Sequence, residues 1–559
     1  MKNRFWLSIV MATIGVALLV ATVFAGAATS APSAQSKADA RGGTFRYDNI
    51  NDFDYIDPSL AYFSHTWQLG AAVGLQLLGY ADKEGPEGSR LRAEAAAGMP
   101  TVSKDGKTYT FKIKQGFRFS NGTPVTSRNF AFAINRALNP RMQSPAASFV
   151  EDIVGAKAVL DGKAAKAAGI TTPNPFTLVI RLTKVAPDFL SRMTMEFFPA
   201  MPVGTAIEPE GLNAPMVSAG PYYVKEWVKN RSAVVVRNPF WRNNQEPWKS
   251  LARPANVDSI SYTVGNSLDA TKLRIDKNET DYGGVPTSAY SGLVDQYGIN
   301  KERFFIRKNV VFWYLAMNNE SALFKGNLKL RQAVNWAIDR PQMVRQHGFL
   351  AGGRTDQILP PGMPGYKQWS VYPLGGVNNN SLNKAKELAN GNLRGGKAVY
   401  YAFTTSFGPT VAQVVQFNLK QIGIDVEIKS FTRTVQHEKV GTRGEPFDIS
   451  HSGWGADYAD PSNFINVLLD GGRIQAANNV NESYFNDPAF NKRMLDANVL
   501  SGDARLKAYG ELDRDITKNG APLATYINTN GRYYVSQGVG CFTVDPTHGV
   551  MNLVAICKK

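Results

Sequence analysis

The stretch "AVYYAFTTSFGPTVAQVVQFNLKQIGIDVEIKSF", Ala398 to Phe431, decides the class of fold. Its two ends have the apolar and aromatic character of strands. Its middle is an apolar-periodic segment with Pro409 in the first turn and Gly423 after the last, which is typical of a helix. A strand, a helix and a second strand in this order predict a parallel pair joined by a right-handed crossover. We therefore expect an α/β protein.

The next predicted strand, "FDISHSGW", leads into the loop "GADYADP". Ligands of open α/β sheets bind beyond the carboxyl ends of the strands, so this loop lies where a cleft is expected. Two aspartates, Asp457 and Asp460, stand there among aromatic rings. Such a pair could be a catalytic dyad, a metal site or a clamp for a cationic ligand.

The two aspartates have different sequence contexts. Asp460 precedes Pro461, and an aspartate followed by proline is a helix-start signature, which favours a structural role. Asp457 has no comparable structural signature and lies near Trp454, Gly455 and Tyr458. A carboxylate in a partly dry position needs a cation, which could be an internal Arg or Lys or the ammonium group of a ligand.

Patterns elsewhere in the chain predict further elements. Alternation of apolar and polar residues over Asp105–Lys114 indicates a hairpin with one solvent-exposed face. A helix capped by Ser127 follows it. A helix from the cap Asn327 to Gln346 follows an apolar strand, and we expect a domain crossing at Val310–Asn319. The late strand at 522–539 can cross back to the first domain.

The first 31 residues have the features of an export signal. Two basic residues precede an apolar run from Phe5 to Ala28, which ends in the small-residue pattern Ala25-Gly26-Ala27. The run is also long enough to span a bilayer, so an uncleaved anchor remains the alternative to a cleaved signal peptide. The only cysteines, Cys541 and Cys557, are distant, which excludes a lipoprotein anchor. In an oxidising compartment a disulfide between them is expected over two buried thiols.

Charge and motifs exclude several classes of function. The formal net charge is +16, or +14 without the two basic residues of the leader, but the basic residues are scattered along the chain. Nucleic-acid binding is therefore not expected. The five histidines lack metal-ligand spacing, and neither an HExxH nor a G-x-S-x-G motif occurs, so we expect no metal, cofactor or catalysis. A glycosidase needs only two carboxylates and stays open.

Four segments in sequence resemble a known family. They are "DGKTYTFKIKQGFRFSNGTPVTSRNFAFAINRAL", "SAGPYYVKEW" with "VVVRNPFW", "LRQAVNWAIDR" and "FDISHSGWGADYADPSNF". The chain resembles the extracytoplasmic solute-binding proteins of ABC importers, family 5, the oligopeptide and dipeptide class. The resemblance implies a two-lobed periplasmic-binding-protein fold of type II with an extra domain, in which mixed sheets flanked by helices are joined by two hinge crossings.

The same resemblance implies a domain plan and a peptide site. In the family, the first acid of the loop, here Asp457, pairs with the α-ammonium of the peptide. The predicted divisions are a signal peptide at 1–31, a linker at 32–41, a first lobe at 42–309 with an inserted subdomain at about 70–200, a second lobe at 310–530 and a return at 531–559. The predicted ligand-binding residues are Asp457, Trp454, Tyr458 and Gly455, with Tyr401, Arg433, Trp313 and Asn318 proposed from their positions near strand ends and the crossing.

The implied protein is an exported monomer, periplasmic or attached to the cell envelope. Its partners would be a peptide ligand and the permease of an ABC transporter. The fold also serves binders of metal chelates, haem, sugars and opines, so these remain alternative ligands. The alternative from a different functional class is an enzyme, a secreted glycan hydrolase that uses Asp457.

Overall fold

A computed structural model of the protein describes residues 41–80, 85–404 and 406–559. The predicted signal peptide or anchor at 1–31 lies outside these ranges, as does all of the linker except Arg41. Within them, no helix combines the length and the apolar character that a membrane crossing requires.

Short strands and helices alternate along the chain. The strands are β1 (Thr44–Asn49), β2 (Leu78–Tyr80), β3 (Leu91–Ala93), β4 (Thr101–Val102), β5 (Thr108–Lys112), β6 (Ile170–Asn174), β7 (Thr177–Arg181), β8 (Tyr222–Val228), β9 (Ser232–Arg237), β10 (Ser259–Val264), β11 (Tyr282–Gly283), β12 (Phe304–Met317), β13 (Gly352–Arg354), β14 (Lys397–Phe403), β15 (Asp425–Phe431), β16 (Ile449–Gly455), β17 (Leu523–Tyr534), β18 (Val539–Gly540), β19 (Val544–Asp545), β20 (Val550–Met551) and β21 (Cys557–Lys558). The α-helices are α1 (Ser64–Val73), α2 (Ser127–Ala137), α3 (Ala156–Leu160), α4 (Phe189–Arg192), α5 (Leu268–Asp276), α6 (Tyr290–Tyr297), α7 (Leu328–Ala337), α8 (Arg340–Gln346), α9 (Asn379–Ala389), α10 (Gly408–Lys420), α11 (Arg433–Val440), α12 (Ile465–Leu469), α13 (Pro488–Asn498) and α14 (Gly502–Asn519).

The first lobe is built on a five-stranded mixed sheet and carries a separate four-stranded sheet. The strand order is β11-β1-β10-β9-β8 in the larger sheet and β4-β5-β7-β6 in the smaller, which is antiparallel. The predicted alternation along β5 and the residue that follows it is confirmed, because Tyr109, Phe111 and Ile113 are buried while Lys112 between them is exposed. The cap of α2 is Thr126 and not Ser127, since Thr126 has the extended backbone and forms a capping box with Asn129.

The second lobe contains the predicted strand–helix–strand unit. Its six-stranded sheet has the order β13-β17-β12-β16-β14-β15, and β14 pairs in parallel with β15 across the helix α10. The strand β16 lies between β14, to which it is parallel, and β12, to which it is antiparallel. The single helix predicted from Asn327 to Gln346 is wrong: Asp339 caps a second helix there, in which Pro341 occupies the first turn.

Two long strands, β12 and β17, connect the lobes side by side. They pair antiparallel from Phe304 opposite Tyr534 to Ala316 opposite Leu523, with a register shift between Lys308 and Phe312. After β17 the chain returns to the core of the first lobe, and Cys541 and Cys557 form a disulfide in this tail. The fold is thus two-lobed with two hinge crossings. The predicted boundaries at 309/310 and 530/531 remain a prediction, since both strands continue through them.

Candidate functional site

The strand β16 delivers the predicted binding loop to the edge of the second lobe. Trp313 of β12 stands opposite Gly453, and a Cβ atom on Gly453 would lie 2.6 Å from the indole ring. Glycine is therefore required there, because the ring packs directly on the backbone of β16. Beyond Gly455 the chain turns, and the indole N–H of Trp454 donates to the Asn463 side chain at 3.4 Å.

Asp457 is a buried carboxylate at the tip of this loop. Only 7% of the residue is exposed. Asn463 donates to its Oδ2 at 2.9 Å, and the hydroxyl of Tyr62, from the first lobe, also hydrogen-bonds to the carboxylate. Burial raises the pKa of Asp457 to about 6, although these two hydrogen bonds and the positive charge of His548 act to lower it. No Lys or Arg in the described ranges forms an ion pair with Asp457.

His548, in the C-terminal tail, carries a positive charge that lowers the pKa of Asp457. Burial alone would lower its pKa, but the Asp545 carboxylate, 2.6 Å from Nδ1, outweighs burial and raises the pKa to about 9. Its Nε2 lies 3.2 Å from the backbone oxygen of Asp457 and donates to it. The two N–H groups of the imidazolium therefore bind the Asp545 carboxylate and a backbone carbonyl. The Asp457 carboxylate can accept a further hydrogen bond from another donor.

Asp460 has the structural role that its sequence context predicts. Its carboxylate accepts from the backbone N–H of Ser462 at 2.9 Å and caps a 3₁₀ turn at Pro461–Asn463. Both of its oxygens also bind Arg505, at 2.7 and 3.1 Å. With Asp460 occupied, the two aspartates do not form a catalytic pair. No group of three or more His, Cys, Asp or Glu side chains within residues 41–80, 85–404 and 406–559 is suited to a metal ion.

The loop also makes contacts with the first lobe. The Tyr458 side chain belongs to the core of that lobe, and its hydroxyl donates to Asp188 Oδ2 at 3.3 Å. The backbone N–H of Ala459 donates to the Tyr80 hydroxyl at 2.8 Å. Asp188 is itself held by Arg192 at 3.2 Å. The loop of the second lobe is thus in direct contact with the first lobe on the C-terminal side of Asp457.

A second group of predicted residues lies at the start of α11. The guanidinium of Arg433 sits 4.8 Å from the ring centroid of Trp313 and 5.0 Å from that of Phe403. Arg433 is solvent-exposed and forms no ion pair within 4 Å among the described residues, although its pKa is lowered by partial burial and raised by the charge of the Glu482 carboxylate, with burial the larger effect. Stacking on two rings holds the guanidinium in place while its N–H donors remain available.

Two of the predicted residues are engaged elsewhere. The Tyr401 hydroxyl donates to Glu445 at 3.0 Å, and its ring packs in a separate cluster with Val440 and Phe447. Asn318 donates to the backbone oxygen of Phe447 at 3.0 Å and forms the turn that ends β12. Of the remaining predicted residues, Trp454, Gly455, Asp457 and Tyr458 lie together in the loop, whereas Trp313 and Arg433 form the second group with Phe403.

Three residues that surround Asp457 were missed at the sequence level. Asn463 lies within the quoted motif and could have been found from its position one turn after the loop. Tyr62 and His548 have no such signal, because they are separated from Asp457 by 395 and 91 residues and meet it only through the contact between lobes.

Two α/β lobes on a pair of crossing strands, with an acid buried where the lobes meet, are the architecture of ligand-binding proteins that close by a hinge. The chain belongs to the bacterial extracellular solute-binding proteins, family 5, whose family model ("family 5 Middle") matches residues 90–476.

Several known proteins are similar to this chain. The periplasmic oligopeptide-binding protein OppA of Salmonella typhimurium is 25% identical over 466 residues, which cover 79% of this chain and 80% of OppA. The oligopeptide-binding protein OppA of Bacillus subtilis is 26% identical over 542 residues, covering 91% of each. Among solved structures, the clavulanic acid biosynthesis oligopeptide binding protein 2 superposes with a TM-score of 0.84 at 23% identity, covering 93% of this chain and 96% of that one.

Proposed function

We propose that this protein captures peptides outside the cytoplasm and delivers them to the permease of an ABC importer. The observation that carries the proposal is Asp457: a carboxylate buried between the lobes that has no Lys or Arg partner in the described ranges. The names of the relatives agree with it, since the two OppA proteins described above are each named as oligopeptide-binding proteins.

The chemistry of Asp457 suits the α-ammonium of a peptide. Burial disfavours the charged carboxylate, as its raised pKa of about 6 reflects. A ligand ammonium would restore the missing electrostatic partner and donate charge-assisted hydrogen bonds in a site shielded from water. A neutral ligand would leave the carboxylate uncompensated. The site therefore favours ligands that carry a positive group at one end.

The far end of the peptide is the natural partner of Arg433. Its guanidinium is stacked and exposed, and a planar guanidinium binds a carboxylate by two parallel hydrogen bonds. Between Asp457 and Arg433, the exposed Gly455 and the ring of Trp313 would line the path of the ligand. A peptide has both charged ends and a backbone that hydrogen-bonds along an extended path.

Binding would act by hinge closure and not by chemistry on the ligand. The crossing strands β12 and β17 allow the lobes to separate, and the contacts of Tyr458 and Ala459 with the first lobe would form as they close. Closure then buries Asp457 and presents a joined surface to the permease. We infer that a single chain suffices, because both sides of the site come from one polypeptide.

The test is to identify the ligand directly. The exported protein is purified and unfolded, and the released molecules are identified by mass spectrometry. The protein is then refolded without ligand and titrated in a calorimeter with the peptide that was recovered. We expect peptides with a free amino terminus, binding one per chain. Release of a haem, sugar or metal chelate would contradict the proposal, and so would turnover of cell-wall oligosaccharides. Should nothing be released, failure of a random tri- to pentapeptide mixture to bind would also contradict it.

A further inference from the structure

Three successive residues of the Asp457 loop are hydrogen-bonded to the first lobe. His548 Nε2 donates to the backbone oxygen of Asp457 at 3.2 Å. The next two residues, Tyr458 and Ala459, also bond to side chains of that lobe. The contact of His548 differs from the other two, because it is made to the residue that the proposed peptide site uses.

The other polar groups of Asp457 are held by Asn463 and Tyr62. Asn463 accepts from the backbone N–H of Asp457 at 3.0 Å and donates to its Oδ2 at 2.9 Å. These two contacts fix Asp457 within the second lobe, while the Tyr62 hydroxyl reaches the carboxylate from the first lobe. His548 is therefore the residue of the first lobe that fixes the main chain of Asp457.

His548 lies on a turn that the first lobe holds from several sides. The turn joins β19 to β20, and Asp545 Oδ1 accepts from the backbone N–H groups of Thr547 and His548 at 2.8 and 3.3 Å. The other oxygen of Asp545 binds Nδ1 of the imidazole at 2.6 Å. The ring of Trp67 meets the imidazole edge-on, with the ring centroids 5.2 Å apart. Groups of the first lobe therefore set the direction of Nε2.

The surroundings of the imidazole keep it protonated. Burial lowers the pKa of His548, but the charges of Asp545 and Glu196 and the carbonyl of Asp457 together raise it to about 9. A protonated imidazole has an N–H group on both nitrogens, so Nε2 is a donor at neutral pH. A hydrogen bond from an ionised donor is roughly twice as strong as one between neutral groups. The contact with Asp457 is therefore a strong link between the lobes.

We propose that His548 is a positioning residue for the amino end of the peptide. Held by the first lobe, it fixes the main chain of Asp457 and thereby the direction in which the carboxylate meets the ammonium group. The inference rests on the proposed function, because His548 acts through Asp457. Loss of this hydrogen bond should weaken the ion pair with the ammonium group and leave the other contacts of the ligand in place.

Calorimetric titrations at pH 7.5 test this role. The peptide recovered from the protein, or selected from the random mixture, is used with a free and with an acetylated amino terminus. The ratio of the two affinities reports the ion pair with Asp457, because acetylation removes the ammonium charge. In His548→Leu this ratio should fall by roughly tenfold or more, the value of one hydrogen bond from a charged group. In His548→Gln, which keeps an amide N–H, it should fall less.

Further variants keep the test valid if a single substitution fails to fold. Both single variants leave Asp545 buried without its partner, whereas Asp545→Asn combined with His548→Leu leaves no charge unpaired. The ratio should fall in this double variant as it does in His548→Leu. His65→Gln is the matched control, because His65 Nε2 bonds to the backbone oxygen of Asp52 within the first lobe. It should leave the ratio unchanged.

The ratio separates positioning from a general structural role. Loosening of the whole protein would weaken both forms of the peptide alike and leave the ratio as it is. The inference is overturned if the wild type discriminates between the two forms and the His548→Leu and double variants discriminate equally well. If the wild type binds neither form, or binds both alike, the proposed function of Asp457 fails, and the role of His548 fails with it.

Discussion

Replacing Asp457 by asparagine should abolish tight peptide binding and at the same time stabilise the ligand-free protein. Asparagine keeps the shape and the hydrogen bond from Asn463 but has no negative charge with which to form an ion pair with an ammonium group. Truncating one partner of a buried charged pair costs about 2–5 kcal/mol, which corresponds to a loss of affinity of roughly 30- to 5,000-fold.

The gain in stability follows from the pKa of the same carboxyl. Burial raises it from 3.8 to about 6, so the folded state binds the proton more tightly than the unfolded chain. Stability then falls as the pH rises from 3.8 to about 6 and stays reduced above it. A shift of about two units corresponds to about 3 kcal/mol, which a neutral side chain would recover at pH 7.5.

Calorimetric titration with the recovered peptide and urea unfolding at pH 7.5 measure the two effects. Asp503→Asn is the matched control, since it removes the same charge from an exposed position at the start of α14. It should change neither quantity appreciably. Unchanged peptide affinity in Asp457→Asn would refute the role of this residue, and a large fall in its stability would refute the electrostatic reasoning.

Three further predictions concern the loop and the tail. Peptide affinity should be highest near pH 7 and fall by up to tenfold per pH unit below about 6, because protonated Asp457 carries no charge to pair with an ammonium group; a flat titration profile between pH 5 and 7 would argue against it. Asp460→Ala should lower the free energy of unfolding by about 3–5 kcal/mol, since it leaves Arg505 buried without its partner; a loss below 1 kcal/mol in urea unfolding would contradict the buried ion pair. Replacing Cys541 and Cys557 by alanine should lower the free energy of unfolding by about 3 kcal/mol, because the unfolded chain gains conformational entropy without the disulfide. An unchanged melting temperature would show that the disulfide does not contribute to stability.

The sequence predicts best the elements whose signals are contiguous. The strand–helix–strand unit at 398–431 carries its helix start, helix end and strand patterns within one stretch, and it forms as expected. The role of Asp460 follows in the same way from the adjacent Pro461. Helix ends are less certain, because a cap is decided by backbone geometry: Thr126 and Ser127 are both good caps, and only the structure shows which has the extended conformation.

The surroundings of Asp457 could be predicted only in part. The loop itself is local, and its acid and aromatic residues are visible in the sequence. Tyr62 and His548 reach Asp457 because the first lobe and the C-terminal tail converge on the loop, and tertiary convergence leaves no local pattern. Tyr401 and Asn318 show the reverse case: both lie near strand ends, yet their side chains are used by neighbouring elements.

One pair of titrations tests directly whether Asp457 holds the amino end of a peptide. The peptide recovered from the protein is synthesised with a free and with an acetylated amino terminus, and both forms are titrated at pH 7.5. Acetylation removes the positive charge and leaves the rest of the peptide unchanged. The acetylated form should bind at least roughly 30-fold more weakly to the wild type, and the two forms should bind alike to Asp457→Asn. Equal affinity of the two forms for the wild type would contradict it.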